Sequence, residues 1–357
     1  REYTVFLPSD YQEGVSLPMI FNLHGFGSNG TQQLLYSTFN LVADTANVIV
    51  VYPEGLDRTT SFGWNGTHWN SYFGTDGDDL GFLNLLIDQV YTDYNIDLTR
   101  VYSTGMSNGG FMSYRLACEL SNRITAIASV TGNATFEQLD NCTPSRPVPI
   151  LQIHGTDDDI VPYNGTPLFS PSIPDLIDFW VTYNNCDTDP IVVDIDDTDM
   201  TDNSTAQILQ YNNGDDDSEV WLYVVDGGTH TWPGAAANLP GSVTNFDFNS
   251  SIHIWDFFKK YTHPNPDAGT IVSTKNELFQ NVEIFAQPTY KKLIVRSDRD
   301  DIQNLRLWDV MGKLVLEDNQ LIGQRALNID VPNIQTGIYV VTVETSAGAI
   351  SKKVFFQ

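Results

Sequence analysis

The chain has 357 residues, 41% of them hydrophobic, enough for two domains and a sizeable core. Its formal net charge of −27 argues against nucleic acid and anionic membrane as partners. No apolar run reaches the length of a membrane span.

The chain starts at Arg1, already in strand-like sequence (Glu2-Tyr3-Thr4-Val5-Phe6-Leu7), so a leader is expected to have been removed or trimmed. Met19-Ile20-Phe21-Asn22-Leu23 and Asn47-Val48-Ile49-Val50-Val51-Tyr52 read as buried parallel strands. The first ends in His24-Gly25-Phe26-Gly27, and Gln32 to Ala46 is expected to be helical. Ser61 to Gly77, with Trp64, Trp69, Tyr72 and Phe73, reads as a long loop, and loops of that length are usually functional. Asp78-Asp79 caps a helix through Leu80 to Tyr94, with Leu83, Leu86, Ile87 and Val90 on one face. A strand at Arg100 to Thr104 leads into Gly105-Met106-Ser107-Asn108-Gly109, followed by a helix to about Leu120. Ile124 to Val130 is a further apolar run. Pro149-Ile150-Leu151-Gln152-Ile153 is a strand ending in His154-Gly155-Thr156-Asp157-Asp158-Asp159. A helix is expected from Pro174 to Tyr183, and Asp187 to Asp217 reads as acidic and irregular. The strand Glu219 to Val225 ends in Gly227-Gly228-Thr229-His230, and a helix from Ser251 to Tyr261 closes this part. Strands alternating with helices imply an α/β domain with a mostly parallel sheet.

His263-Pro264-Asn265-Pro266-Asp267 is a linker by composition. Up to His263 the chain holds 8 Lys and Arg against 34 Asp and Glu, whereas the remainder is nearly neutral. That asymmetry favours a boundary there: a first domain over 1–263, a linker over 264–275 and a second domain over 276–357. Beyond it, short strand-like runs recur about every ten residues with turn signals such as Met311-Gly312 between them. This spacing predicts a small all-β antiparallel sandwich. Of the three cysteines, Cys118 and Cys142 are able to form one disulfide, with Cys186 left over.

The chemistry gathers at strand ends. Strand, G-x-S-x-G, helix is the context of a nucleophile elbow centred on Ser107. Ser107, the 157–159 aspartates and His230 follow in the order Ser, Asp, His found in α/β-hydrolases. Ser107 would be the nucleophile, His230 the base, and one of Asp157, Asp158 and Asp159 the group that holds the imidazole. The spacing alone leaves open which. The backbone N–H groups of Phe26 and Asn108 are the candidate oxyanion donors. His24 and His154 each precede Gly at a strand end, where they would brace loops. Trp64, Trp69 and Trp232, with Phe26, are candidate walls of a substrate cleft. The acidic residues around Asp194 to Asp202 and Asp215 to Asp217 lack the EF-hand pattern; a solvated loop is the default reading and a calcium site the alternative.

Five motifs now carry a resemblance: Leu23-His24-Gly25-Phe26-Gly27; Asp78-Asp79-Leu80-Gly81-Phe82; Arg100-Val101-Tyr102 with Gly105-Met106-Ser107-Asn108-Gly109-Gly110; His154-Gly155-Thr156 with Asp158 and Val161-Pro162-Tyr163; and His230-Thr231-Trp232-Pro233-Gly234. Over roughly Arg1 to Tyr261 the chain resembles the polyhydroxybutyrate depolymerase and feruloyl esterase family of α/β-hydrolases. The resemblance implies an α/β-hydrolase fold and places the acid of the triad on Asp158. Cys118 and Cys142 match a pair that bridges in relatives. Two departures stand out. Phe26 stands where the family often has a small residue, and the cysteine that would partner Cys186 near Asn212-Asn213-Gly214 is missing.

From about Asn276 the chain resembles the C-terminal sorting domain of the type IX secretion system. The carriers are Asp309-Val310-Met311-Gly312-Lys313, Thr336-Gly337-Ile338-Tyr339 and Lys352-Lys353-Val354. The usual start of that domain is degraded here to Phe285-Ala286-Gln287-Pro288. Together the resemblances imply a bacterial serine esterase that is secreted or held at the cell surface; the acyl-enzyme chemistry is expected to need no metal or cofactor, and a monomer is expected. Its expected partners are an ester substrate and the secretion machinery. Feruloyl or acetyl esters of polysaccharides are the first choice of substrate. A polyester, either polyhydroxyalkanoate or poly(ethylene terephthalate), is the second. The contrasting class is a catalytically silent surface binding module.

Overall fold

Apolar runs buried on both faces pair side by side, which is why they read as unbroken rather than alternating. The strands of this first part are β1 (Tyr3–Phe6), β2 (Leu17–Leu23), β3 (Ile49–Pro53), β4 (Leu56–Thr59), β5 (Asn65–His68), β6 (Ile96–Met106), β7 (Ala126–Val130), β8 (Ile150–Gly155), β9 (Ile191–Ile195), β10 (Thr205–Tyr211) and β11 (Val220–Asp226). The helices are α1 (Gly30–Ser37), α2 (Phe39–Ala46), α3 (Asp79–Tyr94), α4 (Asn108–Glu119), α5 (Phe136–Asp140), α6 (Ile173–Tyr183) and α7 (Ser250–Phe258). Nine strands form one sheet in the order β1-β3-β2-β6-β7-β8-β11-β10-β9. The six from β3 to β11 are parallel, while β1, β10 and β9 pair antiparallel at the margins. Two apolar clusters cover its faces. One packs α3, α4 and α6 against the sheet through Leu83, Met112 and Trp180, and the other packs α2 and α7 through Phe39 and Phe257. This is an α/β-hydrolase fold.

The computed structural model describes residues 1–72, 77–238, 240–267, 282–287, 291–297, 301–309, 313–319, 324–332, 334–335, 337–345 and 348–356. Phe73, residues 268–275 of the expected linker, Pro288, the Met311-Gly312 turn and Thr336 lie outside them. The chain divides into two compact units, Arg1–Thr270 and Ile271–Gln357. The second unit is all-β: β12 (Val282–Gln287), β13 (Lys292–Ser297), β14 (Ile302–Asp309), β15 (Leu314–Asp318), β16 (Ala326–Asp330), β17 (Gly337–Thr345) and β18 (Gly348–Phe356). They form two antiparallel sheets, β12-β13-β16 and β15-β14-β17-β18. Leu293 and Val295 of one and Leu305, Leu307, Val341 and Val343 of the other share a single core. Among the described residues no helix is long and apolar enough to cross a membrane.

Three expectations need correcting. The stretch from Gln32 to Ala46 is two helices, because Thr38 between them takes a left-handed conformation with φ 54°. Asp187 to Asp217 is not irregular. It supplies β9 and β10, whose residues are largely half-buried or exposed at the sheet margin, so their sequence lacks the apolar signature of the central strands. Ser61 to Gly77 is likewise not all loop. Its Asn65–His68 segment pairs with Leu56–Thr59 as a hairpin apart from the main sheet.

Cys118, at the end of α4, is bonded to Cys142 beyond α5. The link closes 24 residues of chain. Limiting the unfolded chain in this way stabilises by about 3 kcal/mol. The double variant Cys118→Ala/Cys142→Ala is expected to lose about that much in urea unfolding. Cys186 is free and buried, and burial pushes its thiol up to about 11, which makes it a poor nucleophile at neutral pH.

Candidate active site

The site is built where β2, β6, β8 and β11 end on one edge of the sheet. β6 runs straight into α4, leaving Ser107 as the single turning residue, at φ 55° and ψ −121°. That conformation is costly for a residue with a side chain, and the surrounding packing must hold it. The flanking glycines make the turn possible. A Cβ on Gly109 would lie 2.2 Å from the Leu23 carbonyl oxygen, and one on Gly105 would lie 2.6 Å from the Gly109 carbonyl carbon. The Ser107 amide donates to the Val130 carbonyl at 2.9 Å, tying the elbow to the next strand.

His230 follows β11 and Asp158 follows β8, neighbouring strands, so their loops meet. The His230 Nδ1 atom lies 2.8 Å from Asp158 Oδ2. The other carboxylate oxygen, Oδ1, accepts the amides of Ile160 at 2.9 Å and Val161 at 2.8 Å. The Asp158 side chain is fully buried, while Asp157 and Asp159 are exposed. Of the three acids left open by spacing, Asp158 is thus the one in contact with the imidazole. With Nδ1–H committed to the carboxylate, Nε2 is the nitrogen left for chemistry.

Two further histidines shape these loops. His154 Nε2 donates to the Val161 carbonyl at 2.7 Å, and its Nδ1 accepts from Gln152 at 2.8 Å. His24 Nδ1 donates to the Gly25 carbonyl at 2.8 Å, and its Nε2 accepts the Gly55 amide at 3.0 Å. Each ring uses one nitrogen as donor and one as acceptor, which only the neutral form can do. Burial pushes both down to about 4 from 6.5. A lowered folded pKa gives stability that is present above pH 6.5 and is lost as pH falls towards 4, because the unfolded chain takes up protons that the folded one refuses. Unfolding titrations between pH 7 and 4 are therefore expected to show falling stability with at least two protons bound on unfolding. Replacing His154 by Gln is expected to flatten that slope.

The amides near Ser107 are arranged to receive negative charge. Asn108 is the first residue of α4, where N–H groups have no partner within the helix. In the facing loop the amides of Gly27 and Ser28 are used, by the carbonyls of Thr67 and Gly25, and among the described residues no backbone carbonyl takes that of Phe26. The Asn108 side chain has a separate task. Its Oδ1 accepts the Trp69 amide at 2.7 Å, and its Nδ2 donates to the Trp69 carbonyl at 3.2 Å and to Ser71 Oγ at 2.9 Å. The next residue, Asn70, gives its amide to the buried carboxylate of Asp79, which also pairs with Arg1 and Arg58. The helix cap is Asp78 alone, while Asp79 turns inward to hold this segment under the elbow. Nothing in the Asp-Asp pair itself distinguishes those two roles.

A cavity of about 480 Å³ opens beside Ser107. Phe26, Phe62, Trp64, Phe111 and Phe169 give it aromatic walls, with Ile160 and Val161 completing them. Trp64 belongs to it, exposed at the hairpin tip beside Phe62. Trp69 and Trp232 do not. Both are fully buried: Trp69 Nε1 donates to the His24 carbonyl at 3.0 Å, and Trp232 Nε1 donates to Ser251 Oγ at 3.2 Å. Phe62, Phe111 and Phe169 were not singled out in the sequence. The period-two pair Phe62 and Trp64 around Gly63 is the signal for a hairpin tip with two aromatics on one side. Among the described residues no group of three or more His, Cys, Asp or Glu is placed to hold a metal ion.

Residues 16–187 match the family model described as Phospholipase/Carboxylesterase, and residues 262–357 match the one described as Secretion system C-terminal sorting domain. A bifunctional acetylxylan esterase/xylanase of Neocallimastix patriciarum is 31% identical over 163 residues, covering 46% of this chain and 22% of that protein. Feruloyl esterase B of Piromyces equi is 26% identical over 274 residues, covering 74% of this chain and 46% of that protein. A probable feruloyl esterase C of Aspergillus niger is 30% identical over 173 residues, covering 46% of this chain and 57% of that protein. The chain therefore spans less than two thirds of the length of each of these relatives. A solved ferulic acid esterase from Anaeromyces mucronatus, in complex with ferulic acid, aligns with a TM-score of 0.46 at 15% identity over 72% of this chain and 84% of that one. A phospholipase/carboxylesterase domain over residues 16–187 and a secretion-system C-terminal sorting domain over residues 262–357 are thus present, the second marking the protein for export to the cell surface or beyond.

Proposed function

We propose that the exported protein is a serine esterase that cleaves carboxylic esters on polysaccharides, feruloyl esters first and acetyl esters next. The observation that carries this reading is the strained Ser107 elbow on the same sheet edge as the His230–Asp158 pair, beside an aromatic cavity. In the proposed reaction His230 Nε2 takes the Ser107 hydroxyl proton as Oγ attacks the ester carbonyl. Asp158 holds the ring in the Nδ1–H tautomer and stabilises the imidazolium. The amides of Phe26 and Asn108 donate to the oxyanion, each contributing about 3 kcal/mol in the transition state. His230 then returns the proton to the leaving alcohol, and water repeats the sequence to release the acid. Every proton and electron pair is accounted for by these groups, so the proposed cycle calls for no added cofactor.

The aromatic lining favours a planar aromatic acyl group. It also suits a polyester, of hydroxyalkanoate or aromatic type, which is the second reading, because Phe62 and Trp64 are exposed at the cavity mouth. A panel of methyl ferulate, acetylated xylan, polyhydroxybutyrate and an aromatic polyester separates the two, with the Ser107→Ala variant as blank. Methyl ferulate is expected to give the highest kcat/KM. Faster release from a polyester would overturn the polysaccharide reading. No hydrolysis of any member would leave the silent binding module in its place. The protein is proposed to act as a monomer, for which light scattering is expected to return the mass of one chain.

A further inference from the structure

Ser107 stands between two cavities. The aromatic one, of about 480 Å³, has Ser107 and Asn108 in its wall but not His230. The second, of about 350 Å³, is lined by Phe26, Met106, Ser107 and His230 together with Ser28, Gln32 and Tyr36. Phe26 belongs to both and separates them.

The reaction makes the two cavities unequal. The group that protonates the leaving alcohol must face that alcohol. Of the two, the second is the one His230 lines, so the alcohol half of the ester belongs there and the acyl half in the aromatic cavity. The polar groups of the second cavity are also distinct in kind. Gln33, although in its wall, uses its amide on buried Asn22 at 2.8 Å. Gln32 takes the Ser28 hydroxyl on its Oε1 at 2.9 Å, which leaves its Nε2 hydrogens for a ligand. The Tyr36 hydroxyl accepts a long bond from the Trp232 amide at 3.4 Å and keeps its own hydrogen to donate. Phe26 and Met106 supply apolar surface to the same cavity.

We propose that this second cavity is an alcohol-side subsite for a sugar ring, with Gln32 and Tyr36 as its specificity-determining residues. The inference rests on the esterase reading above. A ring with one C–H face and hydroxyls at its edge finds apolar surface at Phe26 and Met106 and both donors in one cavity. A methyl or plain alkyl alcohol leaves both donors unmet, and sites built to bond a hydroxyl discriminate against ligands that lack one.

The test compares two esters that share an acyl group, methyl ferulate and a feruloyl ester of arabinose, on the full chain. The quantity read is the ratio of their kcat/KM values. In the wild type the sugar ester is expected to be favoured about tenfold or more, expressed in KM. Gln32→Ala and Tyr36→Phe are each expected to cut that ratio about fivefold, while Phe169→Ala in the acyl cavity slows both esters and keeps the ratio. Gln32 is exposed and Tyr36→Phe removes one atom, so both variants are expected to fold, checked by thermal melting. A wild-type ratio near one, a proportional loss on both esters in the Gln32 and Tyr36 variants, or a ratio that follows Phe169 would overturn the proposal. No hydrolysis of either ester by the wild type would overturn the esterase reading, and this inference with it.

Discussion

Ser107→Ala is expected to abolish ester hydrolysis, with kcat falling on the order of a millionfold, or about 8 kcal/mol of transition-state stabilisation. The size of the effect follows from the geometry. The serine is the one residue of the turn, lifted from the strand end at φ 55°. The residue beside it is Asn108, whose side chain is fully engaged by Trp69 and Ser71 and offers no substitute hydroxyl. Alanine keeps the Cβ and the backbone amide's hydrogen bond to the Val130 carbonyl, so the variant is expected to melt within a few degrees of the wild type. A folded variant with residual activity near the wild-type level would remove Ser107 from the chemistry.

Asp158→Asn is expected to lower kcat about ten-thousandfold. The shapes are nearly identical, so the loss comes from the reversed hydrogen-bond polarity together with the lost charge beside the imidazolium. Oδ1 of residue 158 accepts two backbone amides, those of Ile160 and Val161. In asparagine only the carbonyl oxygen can accept, so that oxygen must take the Oδ1 place. The amide NH2 is then turned towards His230 Nδ1 and offers a donor where the ring needs an acceptor. The ring must expose Nδ1 as acceptor and carry its proton on Nε2, where it cannot take the serine proton. Steady-state kinetics across pH 6–9 are the check. The loss is expected to persist at every pH, because it is a tautomer error and not a shifted titration. Activity near the wild-type level at any pH in that range would contradict the tautomer account.

Much of the site was legible because its chemistry imposes chain order and small residues. Gly105 and Gly109 mark Ser107 since no Cβ fits at either, and His230 and the acids follow at strand ends. The acid itself was open among three neighbours until the resemblance pointed to Asp158. In the structure what separates them is burial and two backbone amides, neither of which a run of identical residues reveals. The cleft was harder to read. Trp64, Trp69 and Trp232 are one residue type in similar contexts, yet the first lines the cavity and the other two are core side chains with their indole N–H groups satisfied. Which aromatic faces the cleft depends on the β4–β5 hairpin and on the loop around Phe169, and these are set by long-range packing. β9 and β10 escaped notice for a related reason. The edge strand β9 needs no continuous apolar run and carries Asp194, and β10 beside it alternates Ala206, Ile208 and polar residues within an acidic stretch, which masked both. The two roles of Asp78 and Asp79, one capping and one holding Arg58 and the Asn70 amide, were likewise invisible in an acid pair at a helix start.

Covalent labelling tests the central claim most directly. An activated alkyl phosphonate ester, added in slight excess to the full chain, transfers its phosphonyl group to an activated serine and expels its leaving group. Intact mass and peptide mapping are expected to show one adduct, on Ser107, appearing in step with the loss of esterase activity and strongly slowed in His230→Gln. Full loss of activity with the adduct on another residue, or full activity retained with Ser107 labelled, would contradict the assignment.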